Sequence, residues 1–117
     1  MNKIVVSCMI ASLALMSCSK KTEMNRKLIG AVIKGDAAAM NELIAKGADV
    51  NAREENNPGR TALIIASEED YRDIAGALVS CGADVNAKST DGSTALMNAS
   101  AEGNADIVKL LLSKGAD

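Results

Sequence analysis

The sequence predicts an all-α fold, a solenoid of about three stacked helix-turn-helix units with projecting β-turn loops. The string GADVNA at 47–52 returns at 82–87 and begins again at 115–117, so its glycines are 35 and 33 residues apart. Self-similarity at such a period marks stacked supersecondary units. The 117 residues allow one domain, and Tyr71 is the one aromatic residue. A core of Ala, Leu, Ile, Val and Met suits thin, closely packed helices and fits a large β-sandwich or barrel poorly.

The composition favours a folded chain and argues against nucleic acid as a partner. Hydrophobic residues make up 48% and charged residues 24% of the chain, which is typical of a globular protein. The 13 basic and 15 acidic residues leave a net charge of −2. With no basic excess to neutralise phosphates, nucleic-acid binding is not expected.

The first segment, 1–17, differs in composition from the rest and predicts a signal peptide that is removed. Lys3 provides a short positive start, and residues 4–16 are almost wholly apolar. A helix of that length rises about 20 Å, which is short of the ~30 Å hydrocarbon core of a membrane. The apolar region of a secretory signal peptide has this length.

The end of that segment, Leu15-Met16-Ser17-Cys18, resembles the lipobox of bacterial lipoproteins. The resemblance implies cleavage before Cys18, acylation of its sulfur and a lipid-anchored linker over 18–23. Ser19 rather than Asp follows the cysteine, which by the same resemblance favours the outer membrane, facing the periplasm of the bacterial cell envelope. The alternative is a secreted or periplasmic soluble protein in which Cys18 is incidental.

Cysteine counting follows from this interpretation. Cys8 leaves with the signal peptide and Cys18 carries the lipid, so Cys81 is expected to remain a lone thiol that packs as a small hydrophobe at a helix end.

Three copies of one helical template follow, at 24–52 (partial at its start), 53–87 and 88–117 (incomplete at its end). Thr61 and Thr94 stand where a hydroxyl caps the first helix of a copy, and the first helix of copy 1 is predicted from about Met24 to Lys34. Gly35 and Gly103 allow the left-handed turn between the two helices.

The second helices and the loops follow the same template. Each second helix ends in an apolar pair, at 43–44, 78–79 and 111–112, with further apolar residues three or four positions earlier. The glycines at 47, 82 and 115 then end these helices, and Asp91-Gly92 predicts a tight turn at a loop tip.

This register resembles the ankyrin repeat, with its G-x-T-P-L-H-x-A-A start, G-H break, L-L helix end and G-A-D-V-N-A tail. The resemblance extends from about Met24 to the C-terminus. The chain departs from the pattern at Ile64 and Met97 in place of His, and at Asp70 in place of the Gly of the break. Gly76 inside a helix also costs about 1 kcal/mol relative to Ala. A stack of modest stability is therefore expected.

The end of the array is predicted to expose an apolar surface, because no polar capping helix follows Leu112. A partner or a second copy of the chain would cover that surface, or the chain is cut short from a longer array.

The residues needed for catalysis are missing from the sequence, so no enzyme and no cofactor are expected. The chain has no His, the commonest general base and metal ligand, and no Gly-rich phosphate loop or metal-spaced Cys cluster. The acidic run at 68–70 with Asp73 is a conceivable cation site, but a solvated helix end that favours the helix dipole is the preferred interpretation.

The resemblance implies a protein-binding surface made of the loop tips and the exposed side of the first helices. Tyr71, at the inter-helix turn, is assigned a structural role instead. Carried over by register, the surface would suit a basic or mixed-charge protein, and simple solubility is the other interpretation of its charges. The positions are Ile33, Lys34, Arg53, Asn57, Arg60, Glu68, Glu69, Thr90, Asp91, Ser93, Ala101 and Glu102.

The function expected from these features is a membrane-anchored, non-catalytic module that binds or scaffolds an envelope protein. An inhibitory, immunity or protective protein that covers a toxin or an envelope enzyme is the alternative from another class. A fragment of a longer array with no independent role is the third possibility.

Overall fold

A computed structural model of the chain describes residues 18–55 and 59–116. They form six helices in three pairs, and two residues join the helices of each pair. Apart from isolated β-bridges, these residues contain no strand, so the predicted all-α class is confirmed. The first helices of the pairs are α1 (Cys18–Lys34), α3 (Ala62–Glu69) and α5 (Ala95–Glu102), and the second helices are α2 (Ala37–Ala45), α4 (Arg72–Ser80) and α6 (Ala105–Ser113).

The helix α1 begins six residues earlier than the sequence predicted. It starts at Cys18 rather than near Met24, so the segment 18–23, expected to be a linker, is helical. With 17 residues, α1 is about twice as long as α3 and α5, which have 8 each. The extension occupies the register in which the other copies have their projecting loop.

The predicted helix caps are confirmed. The Thr61 hydroxyl accepts a hydrogen bond from the backbone N–H of Ile64 at 3.3 Å, and Thr94 does the same for Met97 at 3.2 Å. Each bond satisfies one of the N–H groups that a helix start leaves without a partner.

The turn inside each pair is left-handed, as predicted. Gly35 and Gly103 both have φ of 75°, and Asp70 has φ of 60° in the equivalent place. Asp70 is the one non-glycine residue with positive φ among those described. Asp tolerates this conformation better than most L-residues, but at a cost that glycine avoids.

The core runs along the stack between the two layers of helices and is densest in copy 2. The stretch 62–67 of α3 is completely buried, whereas the ends of the stack leave large apolar side chains in solvent. Met97 is 56% exposed although its counterpart Ile64 is 1% exposed, and Leu112 is 54% exposed. The first helices pack more closely on one another than the second helices do. The stack therefore curves with its first helices on the inner, concave side.

The recurring Gly-Ala-Asp-Val-Asn-Ala string joins neighbouring copies by hydrogen bonds. The Asp49 carboxylate accepts from the backbone N–H of Asn51 at 2.9 Å, which closes a local turn. The Asn51 side-chain oxygen then accepts from the N–H of Asp84, one copy later, at 2.7 Å. In α1, the Asn25 side-chain oxygen accepts the equivalent hydrogen bond from the backbone N–H of Asp49 at 2.7 Å, so Asn25 takes the place of a preceding copy.

The loops between copies are short hairpins, in agreement with the prediction of projecting turns. Isolated antiparallel bridges join Arg53 to Thr61 and Lys88 to Thr94. At the tip of the second loop, Gly92 has φ of 87°, a left-handed conformation that favours glycine.

Tyr71 has the structural role that its register predicted. Its ring packs against Gly35, where an added Cβ would come within 3.0 Å of it, and its hydroxyl donates to the carbonyl of Ile33 at 3.4 Å. Tyr71 therefore ties copy 2 to copy 1. Asn104, its counterpart in copy 3, donates to the carbonyl of Ser67 at 2.7 Å.

The prediction that Cys81 is a lone thiol is wrong, because Cys81 is disulfide-bonded in the structure. The sulfur that it bonds is not among the described side chains. The predicted signal peptide lies outside the described residues, and none of the described helices combines the length and apolar character needed to cross a membrane.

Candidate functional site

The described residues form a groove of about 580 Å³ between α1 and the segment 49–55 that follows copy 1. Clefts of roughly 300–1,000 Å³ are typical of ligand sites. The side of α1 that faces inward forms one wall, and the Asp49–Asn51 turn with the start of the hairpin forms the other. The groove is lined by Thr22, Asn25, Arg26, Ile29, Gly30, Ile33, Asp49, Asn51, Ala52, Arg53, Glu54 and Glu55.

The C-terminal half of α1 contributes the apolar part of the groove, whereas Thr22, Asn25 and Arg26 are its polar lining residues from the same helix. Ile29 is buried, Ile33 is 48% exposed, and Gly30 between them has no side chain. Ile33 is thus one of the predicted contact positions, whereas the neighbouring Gly30 was not recognised from the sequence as part of a site.

The rim of the groove carries an exposed ion-pair cluster centred on Arg26. Its guanidinium lies 3.0 Å from Glu55 and 3.2 Å from Glu23. The hydrogen bond to Glu55 is the main reason that the pKa of Arg26 is raised. Because all three side chains are solvent-exposed, the cluster positions charge at the rim and adds little to stability.

Arg60 and Glu68, two predicted contact residues, are engaged with each other and with Glu54. The Arg60 Nε lies 2.5 Å from a Glu54 oxygen, and another guanidinium nitrogen contacts Glu68. The hydrogen bond from Arg60 lowers the pKa of Glu54, and the pairing raises the pKa of Arg60. These half-buried groups join the loop to α3, so they shape the site rather than present free charges to a partner.

Arg53 links two successive loops. Its guanidinium donates to the carbonyl of Gly59 at 3.0 Å and also to the carbonyl of Lys88 in the next loop. Its charge therefore stays on the concave side while its position is held by backbone oxygens. Asn57, the predicted neighbour at the loop tip, lies outside the described residues.

The loop tip of copy 3 is closed by its own hydrogen bonds. The Asp91 carboxylate accepts from the Ser89 hydroxyl and from the backbone N–H of Ser93 at 3.1 Å. The bond from Ser89 is the main cause of a lowered Asp91 pKa. Thr90 and Asp91 are exposed at the tip and Ser93 is half-buried, so the structure gives copy 3 a rigid, acidic tip.

The ends of the first helices present the most accessible predicted positions. Lys34, Glu69 and Glu102 occupy equivalent places in α1, α3 and α5, and all three are exposed. Ala101, next to Glu102, is exposed as well. No ion pair engages these three charged side chains within the described part of the chain. We call these three equivalent positions the helix-end strip.

The acidic run next to this strip is explained without a cation. Glu68 pairs with Arg60, and Asp70 lies 3.9 Å from the Arg72 guanidinium, which also contacts Asp106 of copy 3. Over residues 18–55 and 59–116, no group of three or more His, Cys, Asp or Glu side chains is arranged to hold a metal ion.

Comparison with known proteins identifies the repeats. The family described as ankyrin repeats (3 copies) matches residues 28–117. Curated relatives include protein phosphatase 1 regulatory subunit 27 of Mus musculus and of Homo sapiens, each 42% identical over 61 residues. That match covers 52% of this chain and spans only 38% of the length of each relative.

Proposed function

This chain belongs to the ankyrin-repeat family, and from that premise we propose that it is a membrane-anchored, non-catalytic protein that holds an envelope protein on its concave side. The observations that carry the proposal are the helix-end strip of exposed Lys34, Glu69 and Glu102 and the groove of about 580 Å³ along α1. Exposed charges and apolar groove surface are the combination that protein recognition uses, since complementary charge directs encounter and apolar contact supplies affinity.

The relatives support the class of role rather than the partner. Both are named as regulatory subunits of a protein phosphatase, so their names describe proteins that act in an assembly with another protein. The proposal for this chain takes over only that class, a binding role without catalysis.

The proposed anchor is a lipid on Cys18, suggested by the lipobox-like residues 15–18. Because α1 begins at Cys18, the anchor would continue directly into a helix that rises about 1.5 Å per residue. The array would then sit at the membrane surface, with exposed Lys21 and Lys27 near its headgroups. The proposed location is the bacterial envelope, with the outer membrane facing the periplasm favoured.

The disulfide of Cys81 and this maturation exclude each other within one chain. Cleavage would remove Cys8 and acylation would occupy the sulfur of Cys18, which would leave Cys81 no second thiol in its own chain. The intact mass of the protein from cells therefore tests the anchor. A mature chain beginning at Cys18 with added acyl groups supports it, and an uncleaved chain lighter than the reduced form by two hydrogen atoms contradicts it.

Fractionation adds a functional test of the anchor. Cys18→Ala is expected to move the protein from the membrane fraction to the soluble fraction, while Cys8→Ala, the matched control, should leave it in the membrane. Unchanged membrane association of Cys18→Ala would exclude the lipid anchor.

Charge reversal tests the binding face. Glu69→Lys combined with Glu102→Lys should lower the amount of partner that co-purifies from envelope membranes by at least tenfold. The control is Glu42→Lys on α2, which also reverses an exposed carboxylate. Equal loss with the control, or no loss with the double variant, would refute a partner on the concave side.

A second copy of the chain is proposed as an additional partner at the other end of the array. The supporting observation is that Met97 and Leu112 are 56% and 54% exposed on copy 3. Burying the exposed half of each side chain contributes about 1 kcal/mol, which favours self-association at high concentration.

A further inference from the structure

The geometry points to a specific anchor pocket at Gly30, which accepts one branched aliphatic side chain of the partner with a basic residue beside it. This inference rests on the proposed function and names what the groove recognises. Counted from the left-handed residues Gly35, Asp70 and Gly103, the position of Gly30 corresponds to Ile65 and Asn98 in the other copies. In copy 2 the buried side chain of Ile65 occupies this position.

Nothing in the described protein requires glycine at position 30. Its φ is not in the left-handed region, unlike that of seven other glycines. A Cβ built at Gly30 would meet no atom within 4 Å, so no neighbouring element packs tightly against its backbone. Glycine in a helix interior lowers helix stability relative to alanine. At this position glycine leaves open space and an accessible backbone, which allow a ligand to approach closely.

The space is suited to an aliphatic group. Ile29 and the 48% exposed Ile33 flank Gly30, and Ala52 lies on the opposite wall. Two of the polar acceptors of the lining are already engaged, since the side-chain oxygens of Asn25 and Asn51 accept from the backbone N–H groups of Asp49 and Asp84. A polar ligand would lose bonds to water and find few free partners, whereas an aliphatic side chain loses nothing.

The charge around the pocket selects a basic neighbour. Carboxylates outnumber arginines when the groove residues are counted together with the residues that form ion pairs with them. Arg26 and Arg60 each form ion pairs with two carboxylates. The surroundings are thus net negative and would attract lysine or arginine on either side of the anchor. The carboxylates are Glu23, Asp49, Glu54, Glu55 and Glu68, and the arginines are Arg26, Arg53 and Arg60.

Short synthetic peptides provide the probe. The acetylated, amidated peptide Gly-Lys-Leu-Lys-Gly is titrated into the purified protein while the isoleucine methyl signals are followed by NMR. Saturable shifts of the Ile29 and Ile33 methyl signals are expected. Gly-Glu-Leu-Glu-Gly and Gly-Lys-Asn-Lys-Gly, which change the charge and the anchor respectively, should each bind at least tenfold more weakly.

Filling the pocket is the decisive perturbation. Gly30→Leu should weaken binding of the Lys-Leu-Lys peptide at least tenfold, and Gly30→Ala should weaken it by a smaller factor. Gly76→Leu is the matched control, because Gly76 is also a helix-interior glycine whose added Cβ would meet no atom within 4 Å. Melting curves of the variants establish that each is folded, and Gly30→Ala serves if Gly30→Leu is not.

Two results would overturn the pocket. One is equal peptide binding by the wild-type and Gly30-substituted proteins, and the other is equal binding of the three peptides. Either result, together with partner capture that still depends on Glu69 and Glu102, would remove the pocket and leave the proposed binding function standing.

Discussion

Replacing Asn51 with alanine should destabilise the array by loosening the junction between copies 1 and 2. The Asn51 oxygen accepts from the backbone N–H of Asp84 at 2.7 Å, across 33 residues of sequence. Alanine removes that acceptor and leaves the rest of the local turn in place, because the bond from the Asn51 N–H to the Asp49 carboxylate uses the backbone.

The expected loss is about 1 kcal/mol, the usual net contribution of one intramolecular hydrogen bond. Asp84 is exposed, so water can reach its freed N–H and the larger penalty of a buried, unsatisfied donor does not apply. For an array of this size, 1 kcal/mol corresponds to a fall in Tm of about 4–8 °C. Urea titration and thermal melting followed by circular dichroism at 222 nm would measure both quantities.

Asn41→Ala is the matched control. Its side-chain oxygen is buried and has no hydrogen-bond partner within the described residues, and alanine is the better helix former. This variant should be neutral or slightly stabilising. If Asn51→Ala changed the free energy of unfolding no more than Asn41→Ala does, the hydrogen-bonded junction between copies would be refuted.

The remaining predictions concern a turn, an ion-pair network and an exposed end. Asp70→Gly should raise the free energy of unfolding by about 0.5–1 kcal/mol, because glycine adopts the left-handed conformation of Asp70 without strain. Gly103→Asp should lower the free energy of unfolding by a similar amount in the equivalent turn. Urea titration measures both changes, and changes in the same direction would contradict the prediction. The folded-state pKa of Glu54 lies below its unfolded value near 4.5, so its contribution is present above that pH and lost as pH falls below it. Urea titrations at pH 6 and pH 3.5 should therefore show a smaller acid-induced loss of stability for Arg60→Gln than for the wild type, and an equal loss would contradict the network. Met97→Glu with Leu112→Glu should abolish concentration-dependent association in sedimentation velocity, while Ser113→Glu should not; association that persists in the double variant would exclude this end as the contact.

Local features of this fold were predictable because they depend on neighbours in sequence. Thr61 and Thr94 cap helices through bonds that reach three residues, and Gly35 and Gly103 adopt a conformation that their own lack of a side chain permits. The recurring string marked the period that places these elements in register.

The candidate site was less predictable because its geometry depends on the offset between copies. Arg60 and Glu68 were expected to contact a partner, but Arg60 forms ion pairs with Glu54 of the loop and with Glu68. The early start of α1 at Cys18 adds Thr22 to the wall of the groove, and composition alone did not indicate a helix there. Gly30 was visible as a glycine inside a helix, yet its meaning required the comparison with the buried Ile65.

Photo-crosslinking from Ile33 tests the central claim, that a protein partner lies on the concave side, most directly. A photoreactive residue replaces Ile33, which is 48% exposed in the groove wall, and a second version carries it at Ala38, which is exposed on α2. Irradiation of intact cells should give a discrete protein adduct from position 33 and none from position 38. Adducts from position 38 alone, or none from either position, would contradict the claim.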